Sequence, residues 1–150
     1  MIETIEIEKK YLQLINNQKY NPYILCTTSL LFFIPFIYAI EKKLYLYSFF
    51  IALMGLLSIN HWWKPEYGVN RYIDIVYARC SFMLSLIIFL IYVDCSYNII
   101  ASAIIISFTL YNYKLSTENF INGNNKWIYH HALFHIGAVS QQTLIISHIL

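Results

Sequence analysis

Charge is the scarcest property of this sequence. Asp, Glu, Lys and Arg make up 12% of 150 residues, about half the roughly 25% of an ordinary soluble domain. So little charge cannot cover the surface of a small globule, which excludes a soluble monomer. Disorder is excluded by the opposite excess, because 59% of the residues are hydrophobic and the mean hydropathy is +0.53. Cysteine is sparse: Cys26, Cys80 and Cys95 are scattered and odd in number, which argues against a disulfide framework or a cysteine metal motif. Residues 1–22 begin with the acidic run IETIEIE and lack the basic start and apolar core of a cleavable signal, so they read as a short cytoplasmic arm. Internal repeats are missing as well. The apolar runs do not alternate with period two, which argues against a membrane barrel. The length allows one domain.

What is present is a set of long apolar stretches. A helix needs about 20 mostly apolar residues to cross a bilayer core. Five stretches qualify, at about 23–40, 44–63, 72–93, 96–113 and 127–150, so the expected fold is all-α, a polytopic helical bundle of about five spans. Pro35 lies inside the first and predicts a kink. The connections are short: Glu41-Lys42-Lys43, residues 64–71, Asp94-Cys95, and a longest loop at 114–126. Short loops force neighbouring helices to run antiparallel. Lys9, Lys10, Lys19, Lys64, Arg71, Lys114 and Lys126 then fall on the N-terminal side, against Lys42 and Lys43 opposite. That bias predicts a cytoplasmic N-terminus and an outer or lumenal C-terminus. Trp62, Trp63 and Trp127 fall at the cytoplasmic interface, where tryptophan anchors are expected.

Ionisable residues inside a span mark function by default. Ser58 and His61 close the second span, Asp74 opens the third, and His130, His131 and His135 open the fifth. Span parity puts Ser58, His61, Asp74, His131 and His135 at one depth near the same interface. His131 and His135 are i and i+4, one above the other on a helix face, the spacing with which two imidazoles hold one zinc ion. His61 is the expected third ligand. Three protein ligands and a water describe a catalytic zinc site, with the water made nucleophilic near neutral pH. Asp74 is the expected proton acceptor and donor, and Ser58, one turn before His61, the group that orients the water or an oxyanion. The stripe His131, His135, Ala138, Gln142 follows the inner face of a bundle helix, so Gln142 is expected deep in the bundle, bonded to substrate or to another helix.

Simpler roles exist for each residue. Asp74 would also cap its helix or pair with Arg71 or Arg79. Ser58 would also bond its own backbone. His130 and His148 lie off the stripe and read as solvated interfacial side chains.

Ser58-Ile59-Asn60-His61, Asp74 and His131-Ala132-Leu133-Phe134-His135 resemble the metal-site signature of the CREST superfamily, which includes alkaline ceramidases, progestin and adipoQ receptors and Per1-type membrane proteins. The resemblance implies zinc on His61, His131 and His135, Asp74 holding the water, Ser58 as an accessory, and hydrolysis of a lipid amide such as ceramide. Family members usually have seven spans. Five spans preserve the parity of the site but leave a smaller lipid pocket, or one completed by a second subunit. The family's Ser also precedes its His by four positions, against three here.

Three functions follow from these residues. The first is a zinc-dependent membrane hydrolase of a lipid amide or ester. The second is a b-type haem protein with two axial His. The third is a receptor-like or structural membrane protein stapled by zinc. The expected partner is membrane lipid, with a homo-oligomer left open and no nucleic acid. The host membrane, endoplasmic reticulum, plasma membrane or viral, is not distinguished.

Overall fold

The structure is a computed structural model that describes residues 13, 15, 21–65, 68–92 and 96–149. Among the described residues six helices follow one another: α1 (Pro22–Leu30), α2 (Phe33–Glu41), α3 (Tyr45–Trp63), α4 (Val69–Tyr92), α5 (Ser96–Ile121) and α6 (Trp127–His148). There is no strand among the described residues. The chain is an all-α bundle.

Local chemistry explains the boundaries. Asn21 caps α1, its side chain accepting from the Tyr23 amide at 3.0 Å, and Pro22 takes a first-turn position where its missing N–H costs nothing. The kink expected from Pro35 lies one turn before it, at Leu31 and Phe32. Both keep right-handed dihedrals, φ −62° with ψ near −20°, so α1 and α2 continue as one bent path. The turn into α3 places Lys43 at φ 60°, a left-handed cap in which the Leu44 amide reaches back to the Ala39 carbonyl at 2.8 Å.

Four stretches are long and apolar enough to cross a membrane: Tyr23–Glu41, Tyr45–Trp63, Val69–Ile91 and Asn98–Ile121. The helix α5 runs eight residues past the expected end of the fourth span at 113, so most of the expected 114–126 loop is helix. Neither Gly nor Pro occurs in 114–121 to stop it. The 64–71 loop is shorter than expected, because α4 starts at Val69. The Asp94-Cys95 turn and nearly all of the N-terminal arm lie outside the described residues, although Ile15 of that arm is buried.

The fifth expected span, α6, is not among the four apolar stretches. It is long enough, at 22 residues, but carries four histidines and two glutamines within its length. It is the hub of the bundle, packing on α1, α2, α4 and α5. Its protein neighbours replace lipid, so it tolerates polar side chains that an exposed span would not. Large apolar side chains on the other helices point outward instead: Leu46, Met83, Leu90 and Ile104 are all more than half exposed. In a bilayer that is the expected arrangement, since lipid is as apolar as leucine.

Two apolar clusters hold the hub. One joins Phe32, Tyr47, Ile51, Met54, Phe89, Val139, Ile145 and Ile146. The other joins Ile15, Leu25, Cys26, Trp62, Trp127, Ile128 and Ala132. Trp62 and Trp127 are therefore core residues and not interfacial anchors as expected. Their rings lie 5.7 Å apart, and of the three tryptophans Trp63 alone is exposed. Indole in that place fills volume between α3 and α6 that lipid would otherwise occupy.

Close approach of α5 and α6 depends on Gly137. A Cβ there would collide with Thr109 Oγ1 and come within 3.3 Å of the Phe108 ring. Helix propensity alone favours Ala over Gly by about 1 kcal/mol. Gly137→Ala is nonetheless expected to destabilise the bundle by about 1–3 kcal/mol, read by thermal unfolding in detergent. Adding Thr109→Ala is expected to restore most of the loss, and no restoration would show that the two helices do not meet at this contact.

Candidate functional site

Between the two apolar clusters lies a layer of polar side chains. His135 is its centre and is 3% exposed. Its Nδ1 lies 2.9 Å from Thr28 Oγ1 and 3.4 Å from Ser29 Oγ on α1, and its Nε2 lies 3.5 Å from Ser58 Oγ on α3. Ser29 and Ser58 are bonded to each other at 2.9 Å. Thr28 also lies 3.1 Å from the carbonyl oxygens of Ile24 and Leu25, the usual back-bond of a helical hydroxyl. A Thr28 hydroxyl that donates to one of those carbonyls accepts from the imidazole, which puts the ring proton on Nδ1 and the lone pair on Nε2.

His131 sits one turn earlier, its ring centroid 4.9 Å from that of His135. Its Nδ1 lies 3.3 Å from Ser116 Oγ on α5. The rings of Trp62 and Phe134 flank it at 4.7 and 5.5 Å. On both imidazoles Nδ1 is engaged by a hydroxyl, and Nε2 of His135 has only the longer 3.5 Å contact with Ser58. Outer hydroxyls of this kind are what orient metal-binding histidines. His61 is 2% exposed and packs on Trp62, ring to ring at 4.4 Å. It interacts electrostatically with His131. Among the described residues no group of three His, Cys, Asp or Glu is arranged to hold a metal. Two of the three expected ligands stand side by side, and the third, His61, packs on the Trp62 ring.

Ser58, Asp74, His131 and His135 line one cavity of about 460 Å³. It lies between α4, α5 and α6, because α4 and α5, although consecutive, pack on other helices and hardly on each other. Asp74 is half-buried in the second turn of α4, past the position where it would cap the helix, and interacts with Arg71. The rest of the wall is mostly apolar, including Phe82, Leu86, Ile106, Leu110, Phe134 and Ala138. Ala138 and Gln142 line it together with the two histidines, so the whole expected stripe of α6 faces the cavity. His61 is not on its wall.

Gln142 bonds other helices. Its amide accepts from the Tyr47 hydroxyl of α3 and donates to Ser85 Oγ of α4 at 2.6 Å, and Ser85 in turn donates to the Ser81 carbonyl at 2.7 Å. The two histidines expected in solvent are half-buried and partnered on α5. His130 Nδ1 lies 3.1 Å from Asn112 Oδ1, and His148 Nδ1 lies 3.5 Å from Asn98 Nδ2. Cys26 and Cys80 are free, and Cys95 lies outside the described residues.

Sequence reasoning missed Thr28, Ser29 and Ser116, the hydroxyls that hold the imidazoles. Nothing in composition separates them from the other small hydroxyls in the spans. Only the partner helix gives them a role.

The Tyr47–Gln142 bond is expected to show as a coupling of about 1 kcal/mol in a double-mutant cycle of Tyr47→Phe and Gln142→Leu, measured by unfolding in detergent. Strict additivity would place the two side chains apart. Comparison with protein-family models, curated proteins and solved structures found no match to this chain, so its function is read from this site alone.

Proposed function

We propose that the protein is an integral membrane hydrolase that cleaves a lipid amide or ester with zinc as its cofactor. The observation that supports this most is the cavity: Ser58, Asp74, His131 and His135 all line it, and its other walls suit an acyl chain. Two imidazoles at i, i+4 with both Nδ1 atoms engaged fit zinc, and His61, which packs on the Trp62 ring that also meets His131, is the third ligand in this reading. Zinc supplies the Lewis acidity that makes water nucleophilic at neutral pH.

The chain's own residues do the rest. The Asp74 carboxylate takes a proton from the attacking water and returns it to the leaving amine or alkoxide. The Ser58 hydroxyl, held by Ser29 at 2.9 Å, donates to the oxygen on which negative charge develops. Phe82, Leu86, Leu110 and Phe134 seat the chain of the lipid and keep bulk water out.

A second reading is a structural staple. It is favoured by the hydroxyl contacts of His135, which tie α6 to α1 and α3 without any chemistry.

Replacing Asp74 with Asn separates the first two readings. A hydrolase is expected to keep its zinc and lose about 10²–10⁴-fold in turnover of a ceramide-like amide, with metal content and product release measured on the same preparation. A staple would lose nothing measurable. Thr28→Val is expected to weaken zinc binding by about 10–100-fold, because it frees the His135 ring to rotate. Unchanged affinity in a chelator competition would remove Thr28 from the site.

A further inference from the structure

We propose that Gln141, with Ser102, forms a second polar subsite in the cavity, which takes a hydroxyl carried part-way along the chain of the bound lipid. The proposal rests on the lipid reading above. Gln141 is 5% exposed and lines the cavity. Its Nε2 lies 2.5 Å from Ser102 Oγ of α5, which is fully buried. Its Oε1 is also buried and has no hydrogen-bond partner among the described residues. The neighbouring Gln142 is different, because both ends of its amide are bonded, to Tyr47 and to Ser85.

A buried amide oxygen without a partner is costly in an apolar surrounding, and it requires a partner that the protein does not supply. Turning the Gln141 amide over does not remove the requirement. Ser102 offers one hydroxyl, so one end of the amide is bonded to it in either orientation and the other end is left over. If Oε1 is left over, the ligand must donate. If Nε2 is left over, the ligand must accept. A hydroxyl does both, whereas a ketone or an ether only accepts. Ser85, Gln141 and Gln142 are neutral, which selects a neutral group over a charged one. Gln141 is six residues beyond His135 on α6, roughly 9 Å along the helix axis. A group bound there lies well down the chain from a head placed at His135.

This explains why adjacent glutamines occur at this depth. Gln142 holds α3, α4 and α6 together and has nothing left to offer. Gln141 holds α5 with one end and keeps the other for a ligand. The subsite therefore selects among lipids by a feature remote from the bond that is cleaved.

The test is equilibrium binding to the full chain in lipid nanodiscs, with hexadecanamide and a series of its hydroxy derivatives in which the hydroxyl moves along the chain. One mid-chain position is expected to bind about tenfold tighter than the plain amide, the effect of satisfying one buried polar group. Gln141→Leu is expected to abolish that preference while plain hexadecanamide binds as before. Equal binding of all derivatives to the unsubstituted protein would overturn the subsite and leave the lipid reading standing. So would a preference that survives in Gln141→Leu. Failure of every amide to bind would overturn both. The positional series needs no variant, so it decides the matter even if Gln141→Leu does not fold.

Discussion

Everything in this structure depends on the shelter that five helical segments give to α6. A bilayer core has no water to satisfy polar groups, so each one must find a partner in the protein or remain close to the surface. The helix α6 carries His130, His131, His135, Gln141, Gln142 and His148, more polar side chains than a lipid-exposed span tolerates. It is stable in place because α1, α2, α4 and α5 pack around it, while α1, α3, α4 and α5 supply hydroxyls and amides at each level. Ser116 meets His131, Thr28 and Ser58 meet His135, Ser102 meets Gln141, and Ser85 and Tyr47 meet Gln142. The outer helices can then be nearly pure hydrocarbon on their outward faces.

That division of labour explains the cavity. A hub can be sheltered without every outer helix touching its neighbour. The helices α4 and α5 each find their main contacts elsewhere, α4 on α3 and α5 on α6, and the space between them remains open along the polar stripe. The same stripe that demands shelter thus lines a cavity of mixed character, polar at Asp74, His131, His135 and Gln141 and apolar along Phe82, Leu86 and Leu110.

Much of this was legible before any coordinates. Scarce charge and continuous apolar runs identify spans, and counting spans places Ser58, Asp74, His131 and His135 at one depth. The cavity joins those four. His61 does not join them on the cavity wall. Parity sets depth but not the rotation of a helix about its axis, and on α3 His61 packs on Trp62, whose ring also meets His131. The indoles misled for a related reason. Trp62 and Trp127 lie near span ends, where anchors are common, but whether an end faces lipid or another helix is not written in hydropathy.

The sequence by itself determined the class of the fold and the inward face of α6, because hydropathy and the 3.6-residue period are properties of each segment alone. Only the tertiary structure decided which hydroxyl meets which imidazole, which of two adjacent glutamines is spent on helix packing, and where the wall is left open. Those outcomes follow from helix rotation and from close approaches such as that at Gly137. They belong to pairs of segments, and no single segment encodes them.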